Sequence, residues 1–370
     1  MDGNQNGVKG NTIAGQDFKK PRLVEICILF SITILLFIFI GYRVQDRDFY
    51  SGVLITEVGL IMLPALLYLL FFRYDLKTVL RLHGTRPLNF LVTFCIMLFA
   101  LPLAGVFNLL NLLLVNSIFG KVILQQPPAA NNGQELLLNI LVIAVSAGLC
   151  EEFLFRGVLQ RGFEERFGAV RAILLAAFLF SLTHMDFQKI FGTLLLGALI
   201  GFIVHRTHSL YCGIFAHFTN NALAVLFSYV SNKLMSMFQG TEVNVPEEID
   251  LNSLFSTFGA LPPQQLIMVF FIYGFMFLFV AALFILLIYA MIRLNPGRSA
   301  RNSFNNPAAP ASDAFLKPAP VSADSGAGVK GLLWLLPGIL LIAGMYFFEV
   351  FRFTGAESGL VDMVRRLLGG

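Results

Sequence analysis

Three short polar clusters interrupt apolar stretches near the middle of this 370-residue sequence: Glu151-Glu152-x-x-x-Arg156, Phe180-x-x-x-His184 and His217-x-x-x-Asn221. Their residue types suit one kind of chemistry. A carboxylate and a histidine held at one point activate a water molecule by general-base catalysis. Removal from bulk water makes a glutamate a stronger base. A second histidine and an asparagine amide can donate hydrogen bonds to an oxyanion. Together these are the parts needed to hydrolyse an amide. The same donors also make a metal set, because Glu151 or Glu152 with His184 and His217 would suit zinc. No HExxH, GxSxG or CxxC motif competes. Cys150 adjoins Glu151 but points about 100° away from it on a helix.

The elements that must position these residues are membrane helices. Hydrophobic residues make up 57% of the chain and charged residues 13%, and the mean hydropathy is +0.76. Those values exclude an ordinary soluble globule, a disordered chain and a disulfide scaffold. The net charge of +4 is small and calls for no nucleic-acid partner. The four cysteines sit in or beside apolar stretches and read as small hydrophobes. A span needs about 20 apolar residues. Nine apolar segments stand out, at 23–42, 52–72, 88–117, 137–155, 170–184, 190–205, 210–230, 264–292 and 331–351. The expected fold is therefore all-α, a polytopic transmembrane helix bundle of about nine spans, eight to ten allowing for the short segments.

Loop charges set the expected orientation. The N-terminal tail carries Lys9, Lys19, Lys20 and Arg22, the second loop Arg73, Lys77, Arg81 and Arg86, and the fourth Arg156, Arg161, Arg166 and Arg171. The eighth loop carries Arg293, Arg298, Arg301, Lys317 and Lys330. The loops between are poor in basic residues, as a cytoplasmic amino terminus requires. Nine spans would leave the carboxyl terminus outside, against Arg352, Arg365 and Arg366. The first apolar run, residues 24–40, is too long for a cleaved signal peptide and should stay as a span. The chain divides into a cytoplasmic tail (1–22), three N-terminal segments (23–136), a catalytic core (137–230) and an extracytoplasmic loop (231–263). A further span (264–294), a flexible cytoplasmic linker (295–330), and a detached final span with its tail (331–370) follow. Gly197 and Gly201 form a GxxxG that would let helix backbones approach. No internal repeat of the kind common in transporters is visible.

Helix spacing sorts the polar residues by face. Residues four apart share a face, so Glu152 pairs with Arg156 while Glu151 looks elsewhere. His217 aligns with Asn221 better than with Asn220, and Phe180 sits one turn from His184 and would wall the same site. A hairpin turning near Gly168 puts Glu151 17 residues before the turn and His184 16 after it, at one depth. Residues 157–167 would then continue the fourth helix amphipathically. His217 stands about 13 Å above its own turn. His205 and His208 fall in that turn and read as interfacial. The three clusters converge in the inner half of the membrane.

At these residues the chain resembles the CPBP intramembrane proteases, also called the ABI family, which includes the eukaryotic type II CAAX prenyl endopeptidases. The family pattern EExxxR, FxxxH, HxxxN reads here as EEFLFR at 151–156, FSLTH at 180–184 and HFTNN at 217–221. The likeness covers about residues 137–230 and leaves the other segments unsupported. It implies a membrane endopeptidase with its site open to the cytoplasm. Glu151 would activate water with help from His184, His217 and Asn221 would form the oxyanion side, and Glu152 and Arg156 would be the supporting pair. It implies a peptide or protein substrate at the bilayer, membrane-associated or lipidated. A metal-free glutamate mechanism is favoured, with a divalent metal such as zinc on Glu151, His184 and His217 as the alternative. The expected location is a bacterial plasma membrane. Oligomeric state is left unassigned, and a transporter or a non-catalytic membrane regulator is the competing reading.

Overall fold

Each of the nine apolar segments forms a helix in the computed structural model, which describes residues 20–123, 128–239, 248–249, 251–296 and 330–354. They are α1 (Leu23–Arg47), α2 (Phe49–Phe71), α3 (Pro87–Phe119), α4 (Gly133–Phe167) and α5 (Ala169–Leu182). Then come α6 (Phe187–Thr207), α7 (Leu210–Gln239), α8 (Pro263–Leu294) and α9 (Gly331–Thr354). Eight of these are long and apolar enough to cross a membrane. The exception is α5, whose 14 residues reach only about 21 Å. The chain is an integral membrane protein built as an all-α bundle. The tail before residue 20, the linker over 297–329, the acidic stretch 240–247 and the residues after 354, with Arg365 and Arg366, lie outside the described residues.

Two segments are longer than their apolar content suggests. Helix α4 runs on through residues 157–167, as its amphipathic sequence predicts, and stops at Gly168, whose φ of 77° excludes a further helical residue. Helix α7 continues to Gln239, and a second helix forms at Leu251–Gly259, inside the stretch expected to be a loop. Hydropathy marks where a segment leaves an apolar medium, and a helix need not end there.

Ionic and polar contacts gather at one end of the bundle. Lys20 meets Glu165 at 2.8 Å, Arg81 pairs with Glu164, and the backbone N–H of Leu210 donates to the carbonyl of Arg81. At the opposite end a two-residue antiparallel ladder joins Val122–Ile123 to Glu248–Ile249. Gln188 clasps Ile123 there through both amide atoms, at 2.8 and 2.7 Å. Basic loops and poor loops thus fall on opposite faces, as their alternation in sequence requires.

The final span is not detached in space. It packs along α1 in the same direction, with the Ser31 hydroxyl donating to the Trp334 carbonyl at 2.8 Å. A Cβ on Gly338 would stand 3.1 Å from the Ser31 backbone, so the absent side chain sets this approach. At its far end Glu349 accepts the N–H of Phe187, at 2.9 and 3.1 Å. The main apolar core joins α1, α2, α4, α5 and α9, and a second one joins α3, α6, α7 and α8.

Candidate active site

A line of polar side chains runs down α4 at four-residue intervals: Glu152, Arg156, Gln160 and Glu164. Arg156 donates from Nη1 to Oε1 of Glu152 at 2.6 Å and from Nη2 to the carbonyl of Gly197 at 3.0 Å. Gln160 donates to the carbonyl of Gly201 at 3.1 Å, and Nδ1 of His205 meets Glu164 at 3.1 Å. Each pair has the same 41-residue offset, because α4 and α6 run parallel and in register. The GxxxG makes this possible. A Cβ on Gly201 would stand 2.7 Å from Oε1 of Gln160, and one on Gly197 would stand 3.1 Å from Ala177. Fully buried charges need partners. The partners of Arg156 are one carboxylate and one backbone carbonyl.

Oε1 of Glu152 also receives Nδ1 of His217, at 2.9 Å. The other ring nitrogen, Nε2, faces Oε2 of Glu151 at 3.9 Å. His217 therefore stands between two successive carboxylates of α4, and the missing side chain of Gly213 leaves room for Oε2 of Glu152, 3.2 Å from where a Cβ would be. Phe180 divides the site. Its ring is edge-on to His184 at 5.0 Å and to His217 at 5.8 Å, and the Arg156 guanidinium lies over it at 4.6 Å. Nδ1 of His184 lies 3.0 Å from the Phe180 carbonyl. A carbonyl only accepts, so Nδ1 carries the hydrogen and Nε2 of the neutral ring is the acceptor.

Glu151 and His184 line one cavity of about 220 Å³ between α1, α2, α4 and the turn after α5. Oε2 of Glu151 is buried and takes no hydrogen bond from the described residues. Glu57 of α2 lines the same cavity, is 7% exposed and faces Glu151. Reading the motifs missed it. The signal was present, since Glu57 is the one charged residue of 49–71 and an ionisable residue in a span marks a candidate site.

Asn221 lies farther up α7, where its amide donates to the Ile143 carbonyl at 3.1 Å and its oxygen accepts from Asn220 at 3.0 Å. Cys150 points toward α2, with Sγ 3.9 Å from the sulfur of Met62. Among the described residues no three His, Cys, Asp or Glu side chains are grouped closely enough to hold a metal ion. Glu151, His184 and His217 are thus not grouped as a metal set in this geometry, although Nδ1 of each histidine is held by another acceptor and Nε2 is left toward the site.

Residues 133–223 match the family model described as Type II CAAX prenyl endopeptidase Rce1-like. No curated protein matches the chain. The matched segment runs from the start of α4 into α7 and contains Glu151, Glu152, Arg156, Phe180, His184, His217 and Asn221. The resemblance carried by the three motifs and the Type II CAAX prenyl endopeptidase Rce1-like family model therefore fall on the same part of the chain.

Proposed function

We propose that the protein hydrolyses a peptide bond of a membrane-associated or lipidated protein or peptide, using water activated by Glu151. The observation that carries this reading is the shared cavity, in which Glu151 and His184 present acceptors to one small buried space while His217 adjoins Glu151 from behind. In the reaction, water loses a proton to Glu151 as its oxygen attacks the carbonyl carbon, and Nε2 of His184 helps to orient that water. The carbonyl oxygen becomes an oxyanion, stabilised from the side of α7 by His217 and Asn221. The carbon–nitrogen bond then breaks, and the proton held by Glu151 passes to the departing amine. Glu152 and Arg156 hold His217 in orientation. The spacing of Glu151, His184 and His217 supports a metal-free route, and no step here passes through an ion.

The basic end of the bundle supports a cytoplasmic amino terminus by the positive-inside rule, and the membrane we propose is a bacterial plasma membrane. The cavity itself is lined by Gln45 and Val53 beside the α1–α2 turn and by His184 in the α5–α6 turn, at the end away from the basic residues. On that orientation it opens toward the outer half rather than the inner half expected from the sequence. Comparison of membrane peptides from cells carrying the wild type or Glu151→Gln tests the function. Substrates should persist uncleaved in the variant, at equal protein level. Identical peptide profiles would refute hydrolysis, and a changed solute flux with unchanged peptides would favour a transporter.

A further inference from the structure

A second cavity, of about 580 Å³, opens at the basic end of the bundle, bounded by the ends of α3, α4, α6 and α8 and the loop before α3. Arg81, Arg86, Arg161 and Arg206 line it, together with His83 and His208. Among the described residues no carboxylate lines it. It is separate from the hydrolytic site. Arg161 lies ten residues beyond Glu151 on the same helix, about 15 Å along its axis.

Basic residues at this end would serve orientation alone if they were spread over the surface. These are not. Arg81 is 6% exposed and fixed by Glu164. Arg161 is braced by Glu165 at 3.0 Å, and Glu165 is shared with Lys20 at 2.8 Å. Arg86 donates to the Leu294 carbonyl at 3.4 Å, and Arg206 sits 6.0 Å from the Phe202 ring. The two carboxylates stand behind Arg81 and Arg161, so the wall keeps an excess of positive charge facing the cavity.

The backbone adds to this field. Helix α3 is 33 residues long and begins at Pro87, with Arg86 as its N-cap and no side chain capping its first turn. Its N-terminus, the positive end of the helix dipole, therefore adjoins the cavity. Guanidinium groups converging with a helix N-terminus match tetrahedral phosphate oxygens, which take paired N–H donors from several directions. The position agrees, because the helices leave the apolar layer here, at the height of lipid headgroups.

We propose that this cavity binds a phosphate-bearing anion, carried by an anionic lipid headgroup or free in solution. Binding there would tie together the ends of α3, α4, α6 and α8, and so brace α4, which carries Glu151 and Glu152.

Thermal unfolding of the purified full-length protein tests the proposal with two probes. One is inorganic phosphate titrated in detergent against sodium chloride at matched ionic strength. The other is nanodiscs containing phosphatidic acid against nanodiscs of phosphatidylcholine alone. A saturable rise in unfolding temperature with phosphate assigns a soluble anion, and a rise only with phosphatidic acid assigns the headgroup. Arg86→Glu at an exposed position, and the double change Arg86→Gln with Arg206→Gln, should weaken binding at least about tenfold. The unliganded unfolding temperature of Arg86→Glu should stay unchanged. Equal shifts from sodium chloride, undiminished binding by Arg86→Glu, or no response to either probe would overturn the assignment.

Discussion

Nδ1 of His217 lies 2.9 Å from Oε1 of Glu152, although 65 residues separate the two in the chain. This contact joins α7 to α4 and explains why the two adjacent glutamates differ in role. Glu152 is wholly buried, with Oε1 held by both Arg156 and His217, whereas Glu151 faces the cavity.

The Arg156–Glu152 pair should behave as a structural unit. Arg156→Ala strands a buried carboxylate and should destabilise the protein by about 3–5 kcal/mol. Arg156→Lys cannot reach both Glu152 and the Gly197 carbonyl in the same way, so it should recover only part of that loss. Equilibrium unfolding in mixed micelles measures both, and wild-type stability in Arg156→Ala would contradict the pairing.

Glu57 should modulate the activity without being required for folding. Glu57 lines the same cavity as Glu151 and His184 and so borders the space where the water would sit. Glu57→Gln should lower kcat about tenfold with unchanged or higher thermal stability. In a Glu151→Gln background the same change should cost nothing further, because the two residues act on one step. Additive losses would place Glu57 outside the site.

Close approach of α7 to α4 should be needed for both stability and rate. A Cβ at Gly148 would lie 3.0 Å from the backbone nitrogen of Phe218, which cannot yield like a side chain. Gly148→Ala should cost about 1–3 kcal/mol and reduce activity by shifting His217 off Glu152. Gly274→Ala, in open surroundings on α8, is the control and should do neither.

Hydrolysis by Glu151 and His184 without a metal should survive chelation. Purified protein treated with a chelator should keep its peptidase rate, and metal analysis should find less than one equivalent of zinc. Loss of activity on chelation, restored by zinc, would show that the donors rearrange around an ion.

What the sequence alone determined follows from helix geometry, which is local. The four-residue spacing of Glu152 and Arg156 is enough to make them neighbours, and the turn at Gly168 and the extension of α4 to Phe167 follow from residues close in the chain. The motif residues 151–221 were legible for the same reason, since each motif lies within one or two turns. What only the tertiary structure decided involves partners from distant helices. Glu57 opposite Glu151, Arg156 on the Gly197 carbonyl, α9 along α1, and the arginines around one cavity are all of this kind. The physical reason lies in the solvent. In a soluble protein the polar face of a helix looks outward and the apolar face inward, so sequence periodicity reveals the packing. A bilayer is as apolar as the protein interior. Helices such as α8, whose apolar window is only 6% buried, carry little record of which face meets a neighbour. Only the assembled bundle settles that.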